Sequence, residues 1–117
     1  MRTYQMGRGP NRPVGDVDVF RWDDYEGVTA LPFRAMWYQV PAGGQSPEDK
    51  HPELELSIVV QGDAAVSVDG REPVDVRTGD AFLLESGERH VVHNRRPDEP
   101  LVVFSAYWHD PSEVQHG

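Results

Sequence analysis

Turn signals punctuate the middle of the chain about every eight to nine residues: Gly62-Asp63, Asp69-Gly70, Gly79-Asp80 and Ser86-Gly87. The segments between them, Ala64 to Val68, Val74 to Val76, Ala81 to Leu84 and Val91 to Val92, are short and alternate or run apolar. Such spacing leaves no length for a helix between turns and matches short strands of a β-sandwich or barrel. No helical period longer than about ten residues occurs elsewhere, which removes helical bundles and βαβ architectures. Upstream, Val17 to Phe20 and Phe33 to Val40 read as further strands separated by acidic and Gly-containing turns. The 117 residues suit one domain and one core.

Residues 1–16 carry Gly7, Gly9, Pro10, Pro13 and Gly15, so they read as a flexible N-terminal arm ahead of a domain over residues 17–110. Residues 111–117 are polar and read as a frayed tail. The first fifteen residues contain three arginines and no continuous apolar stretch, which fits neither a signal peptide nor a membrane span. A cytoplasmic location without a membrane partner is the expectation. The 20 acidic against 11 basic residues, a formal charge of −9, oppose a phosphate backbone and argue against nucleic acid as a partner. With no cysteine, a thiolate metal site and a cysteine nucleophile are excluded, so any metal must sit on nitrogen and oxygen.

Polar residues interrupt the apolar pattern in two places. In the first, Gly43, Asp49, His51, Glu55 and Gly62 follow one another with five, one, three and six intervening residues. In the second, Gly79, Glu85, Gly87, His90 and Asn94 are separated by five, one, two and three. These stretches resemble the two sequence motifs of the cupin superfamily, in order and in register. Asp49 stands where that family has its first His, and Glu85 where it has Pro. The resemblance implies an all-β fold, a small jelly-roll β-barrel in a single domain. It also implies one divalent metal ion per chain (Zn, Fe or Mn) on His51, Glu55 and His90, with Asp49 as a fourth ligand, a partner of a ligand, a base or a solvated loop residue.

The residues support a metal independently. On a strand, His51 and Glu55 share a face, and His90 would come from a separate strand. Two imidazoles and a carboxylate suit divalent ions of the zinc, iron and manganese kind. Glu55 opens the apolar run Leu56 to Val60, where a carboxylate needs a compensating charge. Glu53 has the same strand parity and is a substitute ligand, a base or a solvated hairpin residue. His109, after the apolar run Leu101 to Trp108, is an acid or base at the barrel mouth or an exposed terminal residue. Tyr38 or Tyr107 is expected near the ligand, and His93 on the surface.

The superfamily contains many activities, and fold does not select among them. The leading expectation is a metal-dependent enzyme acting on a small organic molecule, by similarity to cupins of secondary-metabolite biosynthesis. The metal would serve as Lewis acid and substrate anchor, with Glu53, Tyr107 and His109 as candidate catalytic groups. Two alternatives stand beside it: a small-molecule sensor or binding module resembling the AraC-type ligand-binding domain, and a metal-free sugar-binding or isomerase barrel. Leu56, Ile58 and Val60 alternate with Glu55, Ser57 and Val59, so this strand needs cover on both faces and a symmetric homodimer is expected.

Overall fold

The structure, a computed structural model, describes residues 1–27 and 30–111. Residues 112–117 of the expected tail lie outside the described residues. The described residues form eight strands: β1 Asp18–Arg21, β2 Arg34–Val40, β3 Leu54–Gln61, β4 Asp63–Val68, β5 Val74–Arg77, β6 Ala81–Leu84, β7 His90–Asn94 and β8 Leu101–Trp108. A single 3-10 turn, Trp22–Asp24, follows β1. The strands form a five-stranded sheet, β1-β2-β8-β3-β6, and a three-stranded sheet, β5-β4-β7, antiparallel throughout. The all-β jelly-roll expectation is borne out.

The core lies between the sheets. Val19, Tyr38, Val40, Val59, Leu84, Leu101 and Val103 enter it from the larger sheet, and Ala64, Val66, Val76 and Val92 from the smaller. Burying apolar area of this kind at roughly 25 cal/mol per Å² supplies the main driving force of folding. The turn residues do what their types allow: Asp69 and Gly70, at φ 52° and 72°, make the turn that opens the 69–73 connection between β4 and β5, closed by Arg71 N–H donating to the Val68 carbonyl at 3.0 Å. Gly62 sits at φ 119°, where a Cβ would meet Leu101 Cδ1 at 3.2 Å.

On β3, Glu55, Ser57 and Val59 face the interior, while Leu56, Ile58 and Val60 face out at 39%, 39% and 48% exposure. Residues 1–16 contain no strand beyond the Val14–Val17 bridge, but they contact the body of the protein. Tyr4 stacks on Trp22 with ring centroids 4.3 Å apart, the Tyr25 hydroxyl donates to the Gln5 carbonyl at 2.7 Å, and Arg12 pairs with Asp24 at 2.6 Å. Among the described residues no helix is long and apolar enough to cross a membrane.

Candidate metal centre

Asp49 belongs to the connection between β2 and β3, which runs beside β7 as an extra strand. Ser46 N–H donates to the Val92 carbonyl at 2.8 Å, while Asp49 and His90 exchange backbone hydrogen bonds of 3.0 and 2.9 Å. Residues directly opposite in an antiparallel pair share a face. Asp49 therefore faces the same space as His90, which is buried at 7% exposure.

His51 lies outside β3, which begins at Leu54, so regular strand alternation does not carry it to Glu55. The bend at Pro52 and Glu53 does, and His51 Nδ1–H donates back to the Glu53 carbonyl at 3.0 Å. His90 Nδ1–H likewise donates to the Glu88 carbonyl at 3.2 Å. With both Nδ1 atoms engaged, each imidazole offers Nε2 to the site, the arrangement by which carbonyls orient metal-binding histidines. The two rings lie 5.1 Å apart. Donor atoms of Asp49, His51 and His90 all fall within 4.8 Å of one another.

Glu55, 6% exposed, stands outside that group of three and adjoins it from β3 through His51. The Ser57 and Ser105 hydroxyls donate to its Oε2 at 3.2 and 3.0 Å, and Oε1 lies 3.1 Å from His51 Nε2. That separation is what two ligands of one ion would have, given bonds of roughly 2.0–2.2 Å. In the metal-free chain a proton bridges the pair. The hydrogen bond to Glu55, against the effect of desolvation, raises His51 from 6.5 to about 9. Burial works to raise Glu55, but the hydrogen bond from His51, the charge of His90 and the Ser105 hydroxyl outweigh it and hold the carboxyl below its usual value. The donor set therefore fits a divalent ion, which would replace that proton.

Asp49, Glu55 and His90 open onto a half-open cavity of about 210 Å³ whose other walls include Val14, Val17, Arg21, Met36 and Tyr38. Tyr38, 6% exposed, has its hydroxyl kept protonated by burial and by Glu55. Trp37, its neighbour, faces outward against Trp22 and Phe104. The three candidate catalytic groups of the sequence, Glu53, Tyr107 and His109, line instead a larger groove of about 490 Å³ formed with Trp22, Phe33 and Arg34. Asp49, Glu55 and His90 face the smaller cavity. Glu53 reaches the centre mainly through its carbonyl, its carboxylate standing 4.0 Å from His51 Nδ1. Tyr107 is half-buried; desolvation raises its pKa against the opposing effects of Arg21 and Arg34. His109 is exposed. His93 faces away from His90 and lies 3.2 Å from the Ser67 hydroxyl.

Arg21 is the cavity residue that sequence reasoning missed. The signal was parity: Val17, Val19 and Arg21 alternate, and the two valines are buried at 4% and 5% exposure.

Comparison with known proteins agrees with this architecture. The family model described as a cupin domain matches residues 36–107, more than half of the chain. A Cupin 2 conserved barrel domain protein from Salinispora arenicola is 30% identical, covering 99% of this chain and 94% of that one, with a TM-score of 0.78. The plu4264 protein from Photorhabdus luminescens is 26% identical over 99% and 92%, with a TM-score of 0.76. The cupin domain of Cnp3 from Schizosaccharomyces pombe, at 16% identity over 97% and 78% and a TM-score of 0.78, shares the fold. Both motifs, the two-sheet topology and these matches converge on one conclusion: this chain belongs to the cupin superfamily.

Proposed function

We propose that this cupin is a metal-dependent enzyme acting on a small organic molecule in a biosynthetic pathway. The observation that carries the reading is the convergence of Asp49, His51 and His90 donor atoms within 4.8 Å, with Asp49 and His90 lining a half-open cavity. Asp49, His51, Glu55 and His90 would hold the ion, which supplies Lewis-acid polarisation of a substrate oxygen. Ser57 and Ser105 hold Glu55 in place, and the Glu53 and Glu88 carbonyls hold the two imidazoles. The valines and Met36 limit water around a bound substrate. Tyr38, protonated and facing the cavity, is placed to donate a hydrogen bond to a substrate oxygen. Glu53, Tyr107 and His109 are proposed to act from the adjoining groove, on a part of the substrate that extends beyond the cavity.

We further propose a homodimer formed through the outer face of β3, and a cytoplasmic location. Elemental analysis of protein purified without chelators tests the central claim. About one zinc, iron or manganese per chain is expected, falling sharply in His90→Ala. A wild-type protein that takes up none of these ions from a metal-supplemented buffer would refute it.

A further inference from the structure

Arg21 faces the same cavity. Its register partner on β2 is Met36, which packs against the core, and its own side chain lines the wall with Glu55 and His90. Six other arginines, Arg12, Arg34, Arg77, Arg89, Arg95 and Arg96, each lie within 4.0 Å of a carboxylate. Among the described residues no carboxylate lies that close to Arg21. Arg21 donates a hydrogen bond to the Tyr107 hydroxyl, a neutral partner, so in a chain with 20 acidic and 11 basic residues an inward-facing arginine is left with its charge unmatched by an acid. A guanidinium drawn out of bulk water needs a counter-charge, and its planar fork matches a carboxylate.

Tyr38 is the second, independent observation. It is 94% buried, lines the same cavity, and its hydroxyl has no hydrogen-bond partner among the described residues. The hydroxyl is open to the cavity rather than sealed in the core, so a ligand or water there can accept from it. The remaining wall is apolar, from Val14, Val17, Val19 and Val92. Charge balance sets the valence of the ligand. With a divalent ion in place, the Asp49 and Glu55 carboxylates cancel its charge, and Glu48, the other acid at the cavity, is bound to Arg89 at 3.2 Å. One positive charge, that of Arg21, is left over. The volume of about 210 Å³ is below the roughly 300–1,000 Å³ of pockets for drug-sized ligands.

We propose that Arg21 and the Tyr38 hydroxyl form a carboxylate-binding subsite, and that this protein's ligand is a small monocarboxylic acid with an apolar body. The carboxylate is held by Arg21 and Tyr38 while the other end of the molecule meets the metal centre. The single charge of the ligand and that last clause rest on the metal-dependent reading above; the pairing of Arg21 with Tyr38 does not.

Benzoate is the probe, with benzamide as its neutral counterpart, and binding to the full chain is followed by calorimetry alongside metal content. Wild type is expected to bind benzoate at least about tenfold more tightly than benzamide. Arg21→Met should lose at least about tenfold in benzoate affinity, with benzamide affinity and metal per chain unchanged. Tyr38→Phe should lose several-fold, and Arg21→Lys should fall between, because it keeps the charge and loses the fork. No preference for benzoate in wild type, or undiminished benzoate affinity in Arg21→Met at equal metal content, overturns the proposal. Should Arg21→Met fail to fold, undiminished affinity in both Arg21→Lys and Tyr38→Phe overturns it equally. Repeating the titration on protein that has bound no metal separates the two readings. Arg21-dependent binding in a chain that never takes up an ion supports the subsite and sinks the metal reading. Binding that needs the ion and ignores Arg21 does the reverse.

Discussion

His51 stands between the Glu53 carbonyl on one ring nitrogen and the Glu55 carboxylate on the other. In the metal-free protein the Glu55 hydrogen bond raises its pKa to about 9 from the ordinary 6.5. A raised folded-state pKa means that the protonated pair stabilises the fold fully below about pH 6.5 and that this contribution is lost as pH rises through about 9. On the acid side the depressed Glu55 pKa sets the limit: its contribution is present above the unfolded value of 4.5 and disappears as pH falls through the lower folded value. NMR titration of chelated protein should place the His51 imidazole near 9 in wild type and markedly lower in Glu55→Gln. An unchanged His51 titration in that variant would remove Glu55 as the cause. The role of Asp49 is decided by two substitutions. Asp49→Ala is expected to weaken metal binding by more than the roughly 10–100-fold that loss of a supporting residue costs, and Asp49→His to restore it. Unchanged metal content in both variants would take Asp49 out of the ligand set.

Among the elements, β7 does most to assemble the site. Its inward residues are His90, Val92 and Asn94, and both of its sides are paired, by β4 and by the 45–49 segment. Asn94, 5% exposed, lies within 3.2 Å of the Val40, Pro41 and Glu99 carbonyls through its amide nitrogen and accepts from Arg96 N–H at 2.9 Å. The last residue of the second motif is thus a clasp joining β7 to the end of β2 and the entry to β8. Asn94→Leu should cost about 2–3 kcal/mol of stability in urea unfolding, because it leaves buried carbonyls without donors. A loss below about 0.5 kcal/mol, the range of ordinary surface substitutions, would show that water replaces the amide. β3 contributes differently, presenting Glu55 to the centre with one face and an uncovered apolar row to the outside with the other.

For the whole molecule that outer row sets the expected assembly. Leu56, Ile58, Val60 and Leu83 are 39%, 39%, 48% and 51% exposed, a contiguous apolar patch across β3 and the adjacent edge strand β6. Patches of this kind mark association surfaces. Sedimentation should find a dimer in wild type and a folded monomer in Ile58→Glu, since a carboxylate at the centre of the patch would have to be buried unpaired. A wild-type monomer at micromolar concentration would refute the interface.

The sequence by itself determined the strand pattern, because turn residues at regular spacing constrain φ locally and alternation constrains which side chains are buried. Motif spacing also singled out His51, Glu55 and His90, of which the structure groups His51 and His90 with Asp49 and sets Glu55 beside His51. Motif spacing marked Asp49 but left its role open between ligand, supporting residue, base and solvated loop; only pairing of that loop with β7 turns it toward His90. Glu53, Tyr107 and His109 passed every local test for the site and lie in the neighbouring groove. Strand parity states which face a residue takes, but not which of two hollows on that side it lines. Arg21 shows the converse: its parity with Val17 and Val19 was legible, but its meaning was not. Whether an arginine has an acid beside it depends on strands distant in sequence, and only packing them together leaves this one bonded to the Tyr107 hydroxyl with no carboxylate of the described residues within 4.0 Å.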